Sequence, residues 1–141
     1  EQASVNVYLY LDDAGKNYEI DCSINDSNYK SLYNGKVSPN TNLLLFTCNA
    51  GTIIDEIFIA WYGLSTSYPS FDTSSKLYIS NDNINWDGPY NIAGEIYGSG
   101  ADLWLISSSS SYLPELTSYT VTNTTYFKLT NSVGGAGGGT N

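Results

Sequence analysis

The stretch Ser4-Val5-Asn6-Val7-Tyr8-Leu9-Tyr10-Leu11 reads as a β-strand with two unlike faces. Side chains alternate across a strand, so Val5, Val7, Leu9 and Leu11 form one apolar face and Ser4, Asn6, Tyr8 and Tyr10 the other. Two roles fit such a strand. Turning through Asp12-Asp13-Ala14-Gly15, it can pair as a hairpin with the next candidate strand, residues 17–24. Alternatively residues 12–16 serve as a flexible linker, and the strand enters the sheet of a neighbouring subunit with Val5, Val7, Leu9 and Leu11 as the inserted face. A head-to-tail contact of that kind repeats into a filament of identical subunits.

Period-two alternation and short apolar runs continue along the chain, at residues 17–24, 29–33, 42–48, 52–62, 76–80, 90–92, 95–97, 102–107, 116–122 and 126–130. Turn-forming clusters punctuate them, among them Asn34-Gly35, Asn49-Ala50-Gly51, Asn81-Asp82-Asn83 and Asp87-Gly88-Pro89. No window carries the i, i+3, i+4, i+7 spacing of an amphipathic helix. The expectation is an all-β fold, a two-sheet antiparallel β-sandwich of Ig-like or jelly-roll-like type. Its organisation reads as a first strand over 1–11, a linker or turn over 12–16, a sandwich over 17–132 and a Gly-rich tail over 133–141. Glycine loses the most conformational freedom on ordering, so the tail needs something outside itself to hold it.

Composition narrows the chemistry. The 141 residues suit one domain, with fourteen Asp and Glu against five Lys, no Arg, no His, no Met and two Cys, for a net charge of −9. Without His the usual general base and the Ser-His and Cys-His nucleophile pairs are absent. Two Cys cannot build a structural zinc site. Five lysines cannot form the basic stripe that phosphate neutralisation needs, which argues against nucleic acid. Asn81, Asn83, Asn85 and Asp87 alternate like calcium ligands, but the Gly and Glu of an EF-hand loop are out of place, and a hairpin turn at 81–83 explains them better. The reading is a non-enzyme without metal or cofactor. No run approaches the ~20 apolar residues of a membrane span. Absence of Met makes Glu1 a processed end exposed by leader removal, which implies a secreted, extracellular, cell-surface protein.

Cys22, in an alternating strand, and Cys48, closing the run Leu43-Leu44-Leu45-Phe46-Thr47-Cys48, both read as inward-facing. A disulfide between them closes a loop of about 25 residues and restrains the unfolded chain by roughly 3 kcal/mol. Two buried free thiols are the alternative. Asn25-Asp26-Ser27 and Asn123-Thr124-Thr125 are N-glycosylation sequons, making Asn25 and Asn123 candidate acceptors of covalent glycans. Thirteen Tyr and three Trp allow a sugar-stacking surface, with Trp86 and Trp104 as its candidates, although aromatics in alternating strands also serve as core or sheet-surface filler.

Two resemblances add to this. The run from Lys76-Leu77-Tyr78-Ile79-Ser80 through Asn81-Asp82-Asn83-Ile84-Asn85 to Trp86 resembles the strand-turn-Trp signature of discoidin-like sandwiches, with Tyr126-Phe127-Lys128-Leu129 similar to their closing strand. Asp82-Asn83 stands where that signature has Asp-Gly, and Lys128 where it has Arg. In layout, the alternating first strand, the Tyr, Ser, Thr and Asn-rich β domain, the cysteine pair, the sequons and the few charges resemble subunits of archaeal extracellular filaments of the thread or bundling-pilus type. That resemblance implies a glycosylated fibre, a pilus or thread, polymerised by donor-strand complementation. Competing expectations are a secreted carbohydrate-binding or adhesion module and a viral coat or spike sandwich.

Overall fold

The computed structural model describes residues 1–10, 18–25, 33–37, 41–63, 75–97, 100–109, 111 and 113–130. Within them lie twelve strands and no helix: β1 (Gln2–Tyr10), β2 (Tyr18–Ile24), β3 (Tyr33–Val37), β4 (Thr41–Asn49), β5 (Ile53–Ile54), β6 (Glu56–Gly63), β7 (Lys76–Ser80), β8 (Asp87–Asn91), β9 (Ala93–Tyr97), β10 (Gly100–Ser107), β11 (Tyr119–Thr120) and β12 (Thr125–Thr130). They form two five-stranded sheets, ordered β4-β1-β12-β7-β8 and β3-β2-β6-β10-β9, with a small β11-β5 ribbon. The fold is all-β and its sheets pack together as a sandwich.

The core lies between the sheets. Val5, Val7, Leu9, Leu43, Leu77, Phe127 and Leu129 enter it from the first sheet, and Ile20, Cys22, Ile57, Ile59, Leu103 and Leu105 from the second. Strand alternation explains most of this list. In β12 every second residue, Thr125, Phe127 and Leu129, is buried. Where alternation fails, a bulge intervenes: in β10 the register shifts between Trp104 and Ile106, so Leu105 and Ile106 are both buried.

Several expected boundaries move. The run expected at 52–62 is broken at Asp55 into β5 and β6, because Asn25 reaches across to hold the break (below). Asn34-Gly35, expected to turn, lies inside β3, with Gly35 opposite Ile20. Asp87-Gly88-Pro89 opens β8 rather than ending a strand. It sits at the sheet edge with a cis Gly88-Pro89 bond, where proline's missing N–H costs no ladder hydrogen bond. The strand expected at 29–33, the linker at 12–16 and the tail at 133–141 lie outside the described residues, save for Tyr33 at the start of β3.

The largest correction concerns β1. It makes no hairpin with β2: the two strands lie in different sheets. β1 instead runs parallel to β12, with Val7 opposite Phe127, and antiparallel to β4, with Val7 opposite Leu43. Alternation told which way its side chains point, and either partner satisfies that requirement.

Candidate functional site

The site of interest is the slot in the first sheet that β1 fills. No other described strand joins β4 to the rest of that sheet; without β1, β4 stands on one side of a gap and β12-β7-β8 on the other. Ala3, Val5, Val7 and Leu9 point into the core, the last three with no exposed surface. Leu11, the fourth residue of the expected inserted face, lies outside the described residues, and Ala3 takes a place on that face that alternation also allows. The outward side chains zip the strand to both neighbours. Asn42 donates an Nδ2 hydrogen bond to Asn6 Oδ1 at 3.3 Å on the β4 side. Ser4 N donates to Thr124 Oγ1 at 3.4 Å at the entrance to β12. At the opening of β1, Ala50 N donates to the Glu1 carbonyl at 2.7 Å.

The outer face over this slot is aromatic. Tyr8, Lys128 and Tyr78 stand in one row across β1, β12 and β7. Lys128 Nζ lies 5.0 Å from the Tyr78 ring centroid and 4.5 Å from that of Trp86, a double cation–π contact. Tyr8 and Tyr10 meet edge to face at 6.1 Å, and Tyr10 and Leu44 are exposed. The alternation Tyr126-Phe127-Lys128-Leu129 is the sequence signal for Lys128's outward position, but nothing in it names Trp86 as partner.

Trp104 is on the other side of the molecule. It faces outward from β10 and packs against Phe58 of β6 at 4.7 Å between ring centroids. Trp86 and Trp104 therefore belong to different sheets and form no common sugar platform. In the second sheet Asp21, on β2, has a buried Oδ1 without a hydrogen-bond partner among the described residues. Burial first, and the Glu19 charge second, raise its carboxyl pKa.

The expected disulfide is not formed: Cys22 and Cys48 are both free. Cys22 lies in the second sheet, fully buried, and burial with the nearby Asp21 charge pushes its thiol up to about 12. Cys48 lies in the first sheet. The bulge of β4 opposite Val5 and Asn6 shifts the phase of the run, so Leu43 and Leu45 are buried while Phe46 and Cys48 sit only partly buried at the core's margin. Reading the run as a plain alternating strand misses that shift.

The two sequon asparagines differ. Asn25 adopts a left-handed conformation at the end of β2, and its amide is engaged at both ends. Nδ2 donates to the Ile53 carbonyl at 2.7 Å, and Oδ1 accepts from Asp55 N at 2.8 Å and Glu56 N at 3.2 Å. It splices the break between β5 and β6. Asn123 lies on an exposed bend before β12, with its carbonyl accepting from Thr125 Oγ1 at 2.8 Å. Among the described residues no three carboxylate or thiol groups gather as a metal set, and no helix is long and apolar enough to cross a membrane.

No protein-family model matches the chain, and no curated protein matches it.

Proposed function

We propose that the protein is a structural subunit of an extracellular filament, polymerising by exchange of its first strand between identical copies. One observation carries this reading: β1 lies inside the first sheet, between the edge strand β4 and the central β12, while pairing only with those two strands, which lie far along the chain. A slot that one copy of β1 fills can be filled by the same residues of another copy, with the same hydrogen bonds and the same three buried Val and Leu side chains. In contact energy the two arrangements are equal. What separates them is the entropy of association, which rising subunit concentration offsets. The exchange delivers Val5, Val7 and Leu9 into the neighbour, and repetition makes the fibre. The acidic, weakly charged and hydroxyl-rich composition suits a surface that repeats in contact with solvent. Asn123 is the sequon residue better placed to carry a glycan, since the Asn25 amide is already occupied within the fold.

The test is assembly of the full chain. Concentrated protein, or protein refolded at high concentration, is expected to form chains visible by electron microscopy that separate only under denaturing conditions. Val7→Asp, which spoils the inserted face, is expected to abolish them. A wild-type chain that stays monomeric throughout, or a Val7→Asp chain that polymerises as well as wild type, overturns the reading.

A further inference from the structure

A cleft of about 260 Å³ opens beside the turn between β7 and β8. Trp86, Tyr90 and Tyr119 supply aromatic walls, and Asn81, Asn85 and Asp87 supply polar groups. Its rim is built rigidly. Asp82 accepts from Ser80 Oγ at 2.9 Å, from Ile84 N and Asn85 N at 2.8 Å each, and from Asn85 Nδ2 at 2.9 Å. Those bonds hold its carboxyl well below the usual carboxylate range, the Asn85 and Ile84 amides contributing most. Asn81 Nδ2 donates to Thr125 Oγ1 at 3.2 Å, tying the turn to the start of β12. Tyr119 is fixed from behind by an edge-to-face contact with Phe127 at 5.6 Å. With both amide nitrogens engaged, what Asn81 and Asn85 have left to offer a ligand is chiefly their acceptor oxygens.

We propose that this cleft binds a neutral hexopyranose ring. An aromatic ring offers a flat apolar surface for the C–H face of a sugar, while carboxylate and amide oxygens accept from its hydroxyls. The volume lies just under the ~300–1,000 Å³ of drug-sized sites, which suits one ring rather than a long oligomer. Charge selects the class of sugar and sets aside the other ligand such a box could take. Asp87 lines the cleft, and Glu115 lies close enough to act on Tyr90, so a uronate or other anionic sugar is repelled. An organic cation, the other ligand of aromatic boxes, meets a Trp86 ring already facing the Lys128 ammonium at 4.5 Å, and an Asp87 carboxylate already hydrogen-bonded to Tyr90. A neutral polyol uses the acceptors without either penalty. In a filament, each copy would carry one such weak site, and repetition would convert weak single contacts into firm attachment. The cleft does not depend on strand exchange, since β1 contributes none of its lining.

The experiment is isothermal titration of the full chain with methyl glycosides of glucose, galactose and mannose, with choline chloride and glucuronate as charged comparators. At least one neutral glycoside is expected to saturate. Trp86→Ala and Tyr119→Ala are each expected to weaken binding by at least about tenfold, and Asp87→Asn by about tenfold, the worth of one hydrogen bond to a charged group. Circular dichroism checks that each variant keeps its fold; should Trp86→Ala unfold, Tyr119→Ala and Asp87→Asn carry the test. Silence across the neutral glycosides, binding unchanged in Tyr119→Ala, or saturation by choline or glucuronate in their place overturns the proposal.

Discussion

Both sheets bury apolar inner faces, yet β1 of the first and β6 of the second, each an interior strand, are held differently. In the second sheet β6 runs between β2 and β10, each of which has its own sequence neighbour, β3 or β9, as an antiparallel partner. In the first sheet β1 is also an interior strand, though second in the order and not central. It lies between the edge strand β4 and the central β12, neither of which has a sequence-adjacent strand as a partner, and one of its two ladders is parallel. β6 is joined to β5 through Asp55 at its start, and both of its neighbours are anchored by sequence-adjacent pairs, β2 with β3 and β10 with β9. Among the described strands β1 connects to β2 through residues 11–17 and pairs with neither β2 nor β3. The lesson is that burial does not settle replaceability: an interior strand whose neighbours are themselves not anchored by sequence-adjacent partners can be supplied from elsewhere.

Removing residues 1–10 tests that difference with the largest expected effect. Val5, Val7 and Leu9 each contribute roughly 1.5–3 kcal/mol of burial, a large part of the ~5–15 kcal/mol that holds a typical domain. The truncated chain is expected to lose its cooperative thermal transition, and a synthetic peptide of residues 1–10 is expected to restore it. A truncated chain that melts like wild type without the peptide would show that β1 does not hold its sheet together, and the contrast between β1 and β6 would collapse.

The cysteines give the next largest effect, one in each sheet. Alkylation of the native protein at pH 8 is expected to modify Cys48 first. Cys22 is expected to react only through opening of the second sheet, at least about a thousandfold more slowly if opening costs near 4 kcal/mol. Mass spectrometry of the labelled peptides reads both rates, and Cys22 reacting as fast as Cys48 would remove the second sheet's claim to be the firmer one. The sign of the pH effect follows from the same burial. A thiol raised to about 12 in the folded state stays protonated there while the unfolded chain ionises near ~8.5. Its contribution is therefore complete below the ordinary thiol range and is lost as pH climbs from there towards 12.

How far the sequence carried these conclusions depends on what alternation encodes. It identified β7 to the residue, because Leu77 and Ile79 alternate with Lys76, Tyr78 and Ser80 and a turn follows at once. It gave the buried face of β1, though not its neighbours, since facing direction is a local property and pairing is not. The broken run at Asp55 was invisible because the residue that breaks it, Asn25, lies 30 residues away. The β4 bulge that leaves Cys48 at the core's margin has no local signature either. Of the cleft's aromatic walls, only Trp86 stood out; Asn81, Asn85 and Asp87 stood out as an alternating polar set, not as part of a cleft. Tyr90 and Tyr119 come from β8 and β11, which meet there because Glu115 exchanges hydrogen bonds with Asn91, Leu116 bridges to Ile106 and Tyr119 pairs with Ile54.

A smaller effect is expected from crowding the second sheet at its edge. A Cβ on Gly94 would run into the Asp102 carbonyl and the Leu103 side chain across the β9-β10 ladder. Gly94→Ala is expected to cost about 1–3 kcal/mol, lowering the melting temperature by several degrees. Its bearing on the comparison lies in assembly. If exchange involves only the first sheet, this variant melts earlier but polymerises at the same concentration as wild type. A shift of the polymerisation threshold in step with stability would mean that both sheets open together.

The smallest effect belongs to the outer face of the first sheet, where Lys128 links β12 to β7 and to the residue just before β8 through the Tyr78 and Trp86 rings. Lys128→Met keeps the length and most of the apolar stem while removing the charge, so its cost isolates the cation–π term at about 0.5–1 kcal/mol for a partly exposed pair. Urea denaturation resolves that as a shift in midpoint at unchanged slope. The same substitution bears on which part of the first sheet moves. Lys128 holds β12 to β7, strands that stay together when β1 leaves; it does not hold β1 to β12, which are joined by ladder hydrogen bonds and by Val7 against Phe127. Lys128→Met should thus lower the urea midpoint while leaving the rate at which labelled residues 1–10 exchange into the protein unchanged. Faster exchange in this variant would mean that β12 and β7 part as β1 departs, and that the replaceable unit is the whole middle of the sheet and not the single strand.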